Sequence, residues 1–425
     1  MSDNDVLYSL WLSCVCGHSP SLISKCTQLG KPKDIFSGKV NDAALRRVLG
    51  DSAYKALCFK DLSGAEEILD YCKSSGIRVL SLDDKCYPNM LRNINTPPIV
   101  LYTKGEELDL NDFLTVTIVG TRHNSEAGTA FTHKLGYELA AKGIIIVSGM
   151  AKGLDSAAHI GALAAKQKTV AVLAGDVENI YPKKNKELYK AILNNGMIVS
   201  ERPPHTVGKG DFYRERNRII AGLSYGTVVV EGGVRSGTSI TAGFAYEFNR
   251  DIFAVPGSPA KNNSFVPNSL LRDGAVLTLS ANDVLNEYSG VYTELLENGR
   301  NMLDGSPKDF ADAADEFKKF GVDIEAPAKK SGAVNARGTK YKIKQNEMTS
   351  KADDSAIKSK LKFEKYSKDE MLVIECLTKH NGLMYIDEII SDTGISSSII
   401  NSILVMLQMK GAVRQVSGNL YKFVI

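Results

Sequence analysis

Residues 115–122 read Thr-Val-Thr-Ile-Val-Gly-Thr-Arg, and residues 144–155 read Ile-Ile-Ile-Val-Ser-Gly-Met-Ala-Lys-Gly-Leu-Asp. These two runs indicate the fold class of the chain. Continuous β-branched and aliphatic runs are typical of parallel strands that are buried on both faces. Each run ends in a glycine-containing loop and is followed by a helix-length segment, at 128–142 and 154–166. Repeated strand–loop–helix units predict an α/β fold with a doubly wound parallel sheet.

The same alternation continues through residues 114–285. An earlier short strand is predicted at 77–82, and the prolines between 87 and 102 disfavour helix and indicate an extended connection. The further strands are predicted at 169–173, 197–200, 227–230, 252–255 and 275–279, and the further helices at 186–194 and 240–249.

Four regions are predicted along the chain: a small helical domain at 1–76, the α/β domain at 77–287, a flexible linker at 288–364 and a winged-helix domain at 365–425. The linker loses apolar periodicity, apart from a short predicted helix at 311–320. The last region shows the helix–helix–helix–hairpin order of a winged helix. Its helices are predicted at 368–379, 386–393 and 396–410, and its strands at 413–415 and 420–424.

Composition and charge exclude several classes of protein. Of 425 residues, 43% are hydrophobic and 24% charged, which is typical of a folded globular chain. No apolar run approaches the roughly 20 residues of a membrane span, and the acidic N-terminus does not resemble a signal peptide. Seven cysteines, an odd number, do not suggest a disulfide framework. We therefore expect a cytoplasmic protein with no membrane partner.

Positive charge is concentrated in the predicted linker. The chain has a net charge of only +3, yet residues 326–363 hold ten basic and three acidic residues, a net charge of +7. Such a run is either a solvated tether or an arm that binds nucleic acid.

Ligands of an open parallel sheet bind outside the carboxyl ends of its strands. The loops predicted at those ends combine glycine, which admits a close ligand, with polar or basic side chains and with helix N-termini that attract anions. They predict a phosphate-bearing ligand, although strand-to-helix turns also need glycine for geometry alone. The candidate binding residues are Gly120, Thr121, Arg122, Ser148, Gly149, Lys152, Lys183, Lys184, Lys186, Arg216, Asn217, Arg218, Arg235, Ser236, Gly237 and Thr238.

Aromatic residues lie beside several of these cations. Tyr181 precedes the lysines at 183–186, while Phe212 and Tyr213 precede the arginines at 214–218. Interleaved aromatic and basic residues suit single-stranded nucleic acid, because a base stacks while a cation holds the phosphate. The alternatives are aromatic rings packed beneath a loop and a solvated start of a helix.

Motifs for cofactors, metals and catalysis are absent or incomplete. Neither the dinucleotide-binding Gly-x-Gly-x-x-Gly after the first strand nor the P-loop pattern occurs. Cys14, Cys16 and His18 lack a second ligand pair, and Asp155 with His159 lacks a nucleophile. We predict no cofactor, no metal and no catalytic residue, and expect that the protein is not an enzyme.

A whole series of these motifs resembles, in order, the DNA-processing protein A family (DprA, also called Smf). The resemblance covers about residues 77–285. It rests on Ile118-Val119-Gly120-Thr121-Arg122, the run from Ser148 to His159, Ile180-Tyr181-Pro182, the run from Arg216 to Ser224, the run from Val230 to Thr238, Ile240-Thr241-Ala242 and the run from Phe253 to Ser258.

The resemblance implies an extended Rossmann-like domain that binds single-stranded DNA without hydrolysing it. Family members protect incoming DNA in natural transformation and help to load RecA, commonly as homodimers. It further implies that Arg122 and the basic residues after Tyr181-Pro182 contact DNA phosphates, and that residues 1–76 form a SAM- or helix-hairpin-helix-like domain.

Three segments depart from the family pattern. Tyr213-Arg214 stand where Phe-Pro is usual, Val266-Pro267 precede Asn268 where glycine is usual, and the third strand end lacks a further Gly-Leu pair. These differences concern loop details.

Two other functions compete with this interpretation. Gly232-Gly233 and Gly237-Thr238 resemble the motif of Rossmann-like nucleotide phosphoribohydrolases, but Thr241 stands where their catalytic Glu would be. A transcription regulator acting through the winged helix is disfavoured, because the helix predicted at 396–410 carries only Lys410 as a cation.

Overall fold

A computed structural model describes residues 3–302 apart from 235, and residues 366–379, 383–395, 399–400, 403–404, 406–407, 410, 412–417 and 420–423. The chain divides into two compact units, Met1–Gly332 and Ala333–Ile425. No helix in the described ranges is long and apolar enough to cross a membrane.

The first unit is built around one large sheet. Its strands are β1 Arg78–Ser81, β2 Val100–Gly105, β3 Thr115–Val119, β4 Ile145–Ser148, β5 Thr169–Val172, β6 Gly196–Ser200, β7 Gly226–Val229, β8 Asp251–Ala254 and β9 Val276–Leu277. The helices are α1 Asp3–Val15, α2 Pro20–Leu29, α3 Pro32–Phe36, α4 Asp42–Phe59, α5 Ser63–Ser74, α6 Asn89–Arg92, α7 Glu126–Ala140, α8 Leu154–Ala164, α9 Lys186–Asn194, α10 Phe212–Gly222, α11 Gly237–Glu247, α12 Phe265–Arg272, α13 Ala281–Tyr288 and α14 Thr293–Asn301.

The sheet confirms the doubly wound prediction. Its order is β1-β2-β6-β5-β4-β3-β7-β8-β9, and the strands from β6 to β9 in this order are parallel. The chain runs outward from β3 through β4 and β5 to β6, and then returns to the other side of β3 as β7. The topological switch point therefore lies at β3, between β4 and β7.

The segment between 87 and 102 is not only an extended connection. Its end forms β2, which pairs antiparallel with β1 and with β6. Leu101 and Tyr102 are almost fully buried in this strand. The prolines stop just before it, so they leave its backbone N–H groups free to pair.

The N-terminal helices α1–α5 are not a separate body. Trp11 of α1 packs edge-on against Phe36, with ring centroids 5.0 Å apart. The hydrophobic core that contains Trp11 and Cys26 continues through Tyr102 of β2 and Ile198 of β6. Residues 1–76 therefore share their core with one side of the sheet.

The predicted linker begins too early in the chain. Helix α14 lies within residues 288–364 and packs on the α/β domain, with Leu296 only 2% exposed. Gly299 and Gly143 touch backbone to backbone, since a Cβ on Gly299 would lie 1.8 Å from the Gly143 carbonyl oxygen. The linker prediction is wrong for this helix, because few apolar residues mark it. Residues 303–365, with the helix predicted at 311–320 and the basic run, lie outside the described residues.

The second unit is a winged helix. It contains α15 Lys368–Lys379, β10 Leu383–Tyr385, α16 Ile386–Thr393, β11 Val413–Ser417 and β12 Leu420–Phe423, with the strands in the order β10-β12-β11. Strand β10 was not predicted. In the range 396–410 the described positions 399–400, 403–404 and 406–407 are helical. Leu404 and Leu407 are buried there, whereas Ile399 and Met406 are about half exposed.

Candidate nucleic-acid interface

An open cleft of about 500 Å³ lies at the switch point, beyond the carboxyl ends of β3 and β7. The loops after β3, β4, β7 and β8 and the first turn of α11 surround it. Its lining residues are Val119, Gly120, Thr121, Arg122, His123, Ala151, Asp155, Arg216, Asn217, Ile220, Gly233, Val234, Ser236, Gly237, Thr238, Thr241, Asn262 and Asn263. This is the position at which an open α/β sheet binds its ligand.

The loop after β3 is held in one conformation by Glu231, which follows β7. The Glu231 carbonyl accepts a hydrogen bond from the Thr121 N–H at 2.9 Å. Its carboxylate accepts one from the Ser125 N–H at 2.9 Å and one from the Asn263 side chain at 3.3 Å. Glu231 thus joins the loops of β3, β7 and β8, which is a positioning function that the sequence analysis did not assign.

Arg216 of α10 lies beneath the cleft. It is 6% exposed, and its Nη1 donates hydrogen bonds to the carbonyls of Gly149 at 2.7 Å and Val172 at 2.5 Å. A Cβ on Gly149 would lie 2.3 Å from Arg216 Nη1 and 2.7 Å from Asp155 Oδ2, so any side chain there would displace these two groups. Arg216 is therefore a buried cation that supports the loop after β4.

Asp155 is the counter-charge of Arg216. Burial raises the pKa of the Asp155 carboxyl, and the charge of Arg216 acts in the opposite direction. Burial likewise lowers the pKa of Arg216, an effect that Asp155 opposes. The two charges therefore compensate one another where both side chains are buried.

A second cavity of about 200 Å³ adjoins the cleft and shares Arg122, His123, Ala151 and Arg216 with it. Tyr181 and Tyr213, here called the aromatic pair, stand at its edge with ring centroids 5.8 Å apart. Tyr181 is 54% exposed. The exposed guanidinium of Arg122 lies 5.3 Å from the centroid of the Tyr213 ring, within cation–π range.

Most of the predicted binding residues gather at the two cavities. Those that line them are Gly120, Thr121, Arg122, Gly149, Lys152, Arg216, Asn217, Ser236, Gly237 and Thr238. Lys183, Lys184 and Lys186 are exposed and follow Tyr181-Pro182, which line the second cavity. Lys152 is exposed as well. The helix N-terminus at Gly237 and Thr238 adds backbone N–H groups.

Two predicted residues lie away from this surface. Arg218 is 4% exposed and forms an ion pair with Glu201, since arginines two positions apart point to different faces of a helix. Ser148 is fully buried and donates to the Ile118 carbonyl at 2.7 Å. We leave both out of the proposed ligand contacts. Arg235 lies outside the described residues.

Several lining residues of the cleft were missing from the predicted set, among them His123, Asp155, Asn262 and Asn263. His123 and Asp155 directly neighbour the predicted loops, so their position could have suggested them. No sequence pattern assigns Asn262 and Asn263 to the site, because only folding brings the segment after β8 to this cleft.

His159 does not act with Asp155 as an acid–base pair. It is completely buried, and its Nδ1 is bonded to Thr169 Oγ1 at 2.8 Å. Burial lowers the pKa of His159 to about 3. Cys14, Cys16 and His18 form no metal site, and no group of three or more candidate ligands for a metal occurs among the described residues.

Comparison with known proteins finds matches to one family. The model of DNA recombination-mediator protein A matches residues 78–289, and that of the DprA winged helix domain matches residues 367–419. The DNA processing protein DprA of Bacillus subtilis (strain 168) is 35% identical over 269 residues, which cover 63% of this chain and 90% of that protein. The DNA processing protein DprA of Streptococcus pneumoniae is 41% identical over 208 residues, covering 49% and 73%. The X-ray structure of DprA from S. pneumoniae superposes with a TM-score of 0.58 at 33% identity, covering 66% of this chain and 97% of that one.

Proposed function

The chain belongs to the DNA recombination-mediator protein A family and is a DNA-processing protein, and we propose that it binds single-stranded DNA at the switch-point cleft. We further propose that it protects incoming strands in natural transformation in the cytoplasm and helps to load RecA on them.

The position of Arg122 supports single-strand binding. Its guanidinium lies over the ring of Tyr213, which in turn contacts the exposed ring of Tyr181. Arg122 can hold a phosphate while a neighbouring unpaired base stacks on the aromatic pair. A base within a duplex is already stacked on both faces and has no free face to offer. The arrangement therefore favours single strands.

The remaining contacts suit phosphates rather than base edges. Lys152, Lys183, Lys184 and Lys186 are exposed around the second cavity, and the N-terminus of α11 faces the cleft. Contacts of this kind position a strand without reading its sequence. Binding should be independent of sequence.

The phosphoribohydrolase alternative lacks support at its central residue. Thr241, where the catalytic Glu would stand, is 2% exposed, and its hydroxyl donates to the Gly237 carbonyl at 3.4 Å. Glu231 is engaged with Ser125 and Asn263. A gel shift with single- and double-stranded DNA, run beside a nucleotide hydrolysis assay, separates the two functions. We expect preferential single-strand binding and no hydrolysis; hydrolysis without DNA binding would favour the enzyme.

We also propose that the protein forms homodimers and that its winged helix is a partner-binding or regulatory module. Leu277 of the edge strand β9, Leu279 just after it and Phe265 at the start of α12 are exposed, and a second copy could cover them. Ile399 and Met406 offer a smaller apolar surface on the winged helix. Sedimentation of the wild type and of Leu279→Asp tests the dimer, which the charged variant should weaken.

Replacing Arg122 by alanine should weaken single-strand binding about tenfold, the loss expected for one charge-assisted phosphate contact. The side chain is exposed and follows β3, so its removal should leave the melting temperature unchanged. Fluorescence anisotropy with a labelled oligonucleotide measures the affinity. Arg272→Ala is the matched control, since that side chain is 79% exposed and pairs with its neighbour Asp273. Wild-type affinity in Arg122→Ala, or a collapse of its melting temperature, would refute this assignment.

A further inference from the structure

The N-terminal helices α1–α5 contact both chain segments that carry the aromatic pair, although none of the residues given above as lining the cleft belongs to these helices. We propose that α1–α5 position the aromatic pair for stacking with DNA, and that Arg202 and Tyr71 are the positioning residues. This inference rests on the proposed single-strand binding.

The first contact is made by Arg202, in the connection between β6 and α10. It is 6% exposed. Its Nη1 donates to the His18 carbonyl at 2.9 Å, and its Nη2 forms an ion pair with Glu215. The guanidinium also lies 3.9 Å from the centroid of the Phe212 ring. Because Phe212 immediately precedes Tyr213, Arg202 ties the turn at His18 to the start of α10.

The turn at His18 is itself held in place. Gly17 and His18 both adopt the left-handed region, each with a φ of 56°. The His18 N–H donates to the Ser13 carbonyl at 2.8 Å, and its ring Nδ1 is bonded to the Ser13 hydroxyl at 2.9 Å. The carbonyl that Arg202 contacts is therefore fixed relative to α1.

The second contact is made by Tyr71 of α5. Its hydroxyl donates to Glu178 Oε2 at 2.9 Å, and Glu178 also pairs with Lys104 of β2 at 2.6 Å. The Tyr71 ring meets the ring of His205 edge-on, with centroids 4.4 Å apart. Glu178 lies three residues before Tyr181, and His205 lies in the same connection as Arg202. Tyr71 thus braces the segment of the other aromatic ring.

The chain segment that carries each ring is consequently held by a different contact with the N-terminal helices. Stacking on a ring that is already in place loses less conformational entropy on binding than stacking on one that must first be ordered. Releasing either contact should therefore weaken stacking without removing any phosphate contact.

The test uses the full chain and an oligothymidylate strand that contains 2-aminopurine, whose fluorescence is quenched by stacking. Arg202→Met should bind about tenfold more weakly, the equivalent of one lost stack, with reduced quenching. Its slope of log affinity against log salt should equal that of the wild type, because no phosphate contact is lost. Arg122→Ala should instead lower that slope. Tyr71→Phe, which changes no charge and removes only the hydroxyl, should show the same pattern with a smaller loss.

Arg78→Met is the matched control. Arg78 lies on the edge strand β1 and forms an ion pair with Glu107, with 3.9 Å between Nη1 and Oε2. It should bind like the wild type. If Arg202→Met fails to fold by circular dichroism, Tyr71→Phe decides the question. Wild-type affinity and quenching in the folded variants would overturn the inference. A lowered salt slope in Arg202→Met would also overturn it, because Arg202 would then be a phosphate contact. Absence of single-strand binding by the wild type would instead refute the proposed function itself.

Discussion

Replacing Arg216 by methionine should lower the free energy of unfolding by about 3 kcal/mol, the cost of leaving a buried charge without its partner. Arg216 compensates the buried Asp155 and holds the carbonyls of Gly149 and Val172. Methionine keeps much of the volume but offers no charge and no donor. Urea denaturation followed by circular dichroism measures the change.

Arg214→Met is the control for this substitution, because Arg214 lies two residues earlier in the same helix and is exposed. It should change stability by less than about 0.5 kcal/mol, as surface substitutions usually do. Adding Asp155→Asn to Arg216→Met should recover part of the loss, since the two charges are coupled. Equal stability of Arg216→Met and Arg214→Met would show that the buried cation does not support the loop after β4.

Single-strand affinity should fall about a hundredfold between 50 and 200 mM salt. The five exposed cations at or beside the second cavity are Arg122, Lys152, Lys183, Lys184 and Lys186. If each neutralises one phosphate, the slope of log affinity against log salt is about −3.5, at about −0.7 for each contact on a single strand. Anisotropy titrations at four or five salt concentrations give this slope.

The double variant Lys183→Ala/Lys184→Ala should reduce the magnitude of the slope by about 1.4, because two contacts are lost. Lys25→Ala/Lys55→Ala, with two exposed lysines on the N-terminal helices, is the control and should leave the slope unchanged. A slope near zero in the wild type would mean that phosphate contacts do not dominate binding.

The positions of the parallel strands could be predicted from the sequence because they depend on short apolar runs that are buried on both faces. The apolar run at 115–119 coincides with β3, and the other parallel strands agree with their predictions to within two residues at each end. Once parallel strands are predicted, their loops must meet at one edge of the sheet, so Arg122, Lys152 and Thr238 could be assigned to one site. The same local patterns indicated the winged helix.

Only the packing of the folded chain determines which of the predicted cations lie at the two cavities. Arg216 and Arg218 look equivalent in the sequence, but the packing of α10 places Arg216 under the cleft and Arg218 against Glu201. Asn263 reaches the site only because β8 lies beside β7. The contacts of Arg202 with His18 and of Glu178 with Tyr71 likewise join residues more than a hundred positions apart in the chain. Such contacts depend on distances between elements remote in the sequence, which no local periodicity or motif encodes.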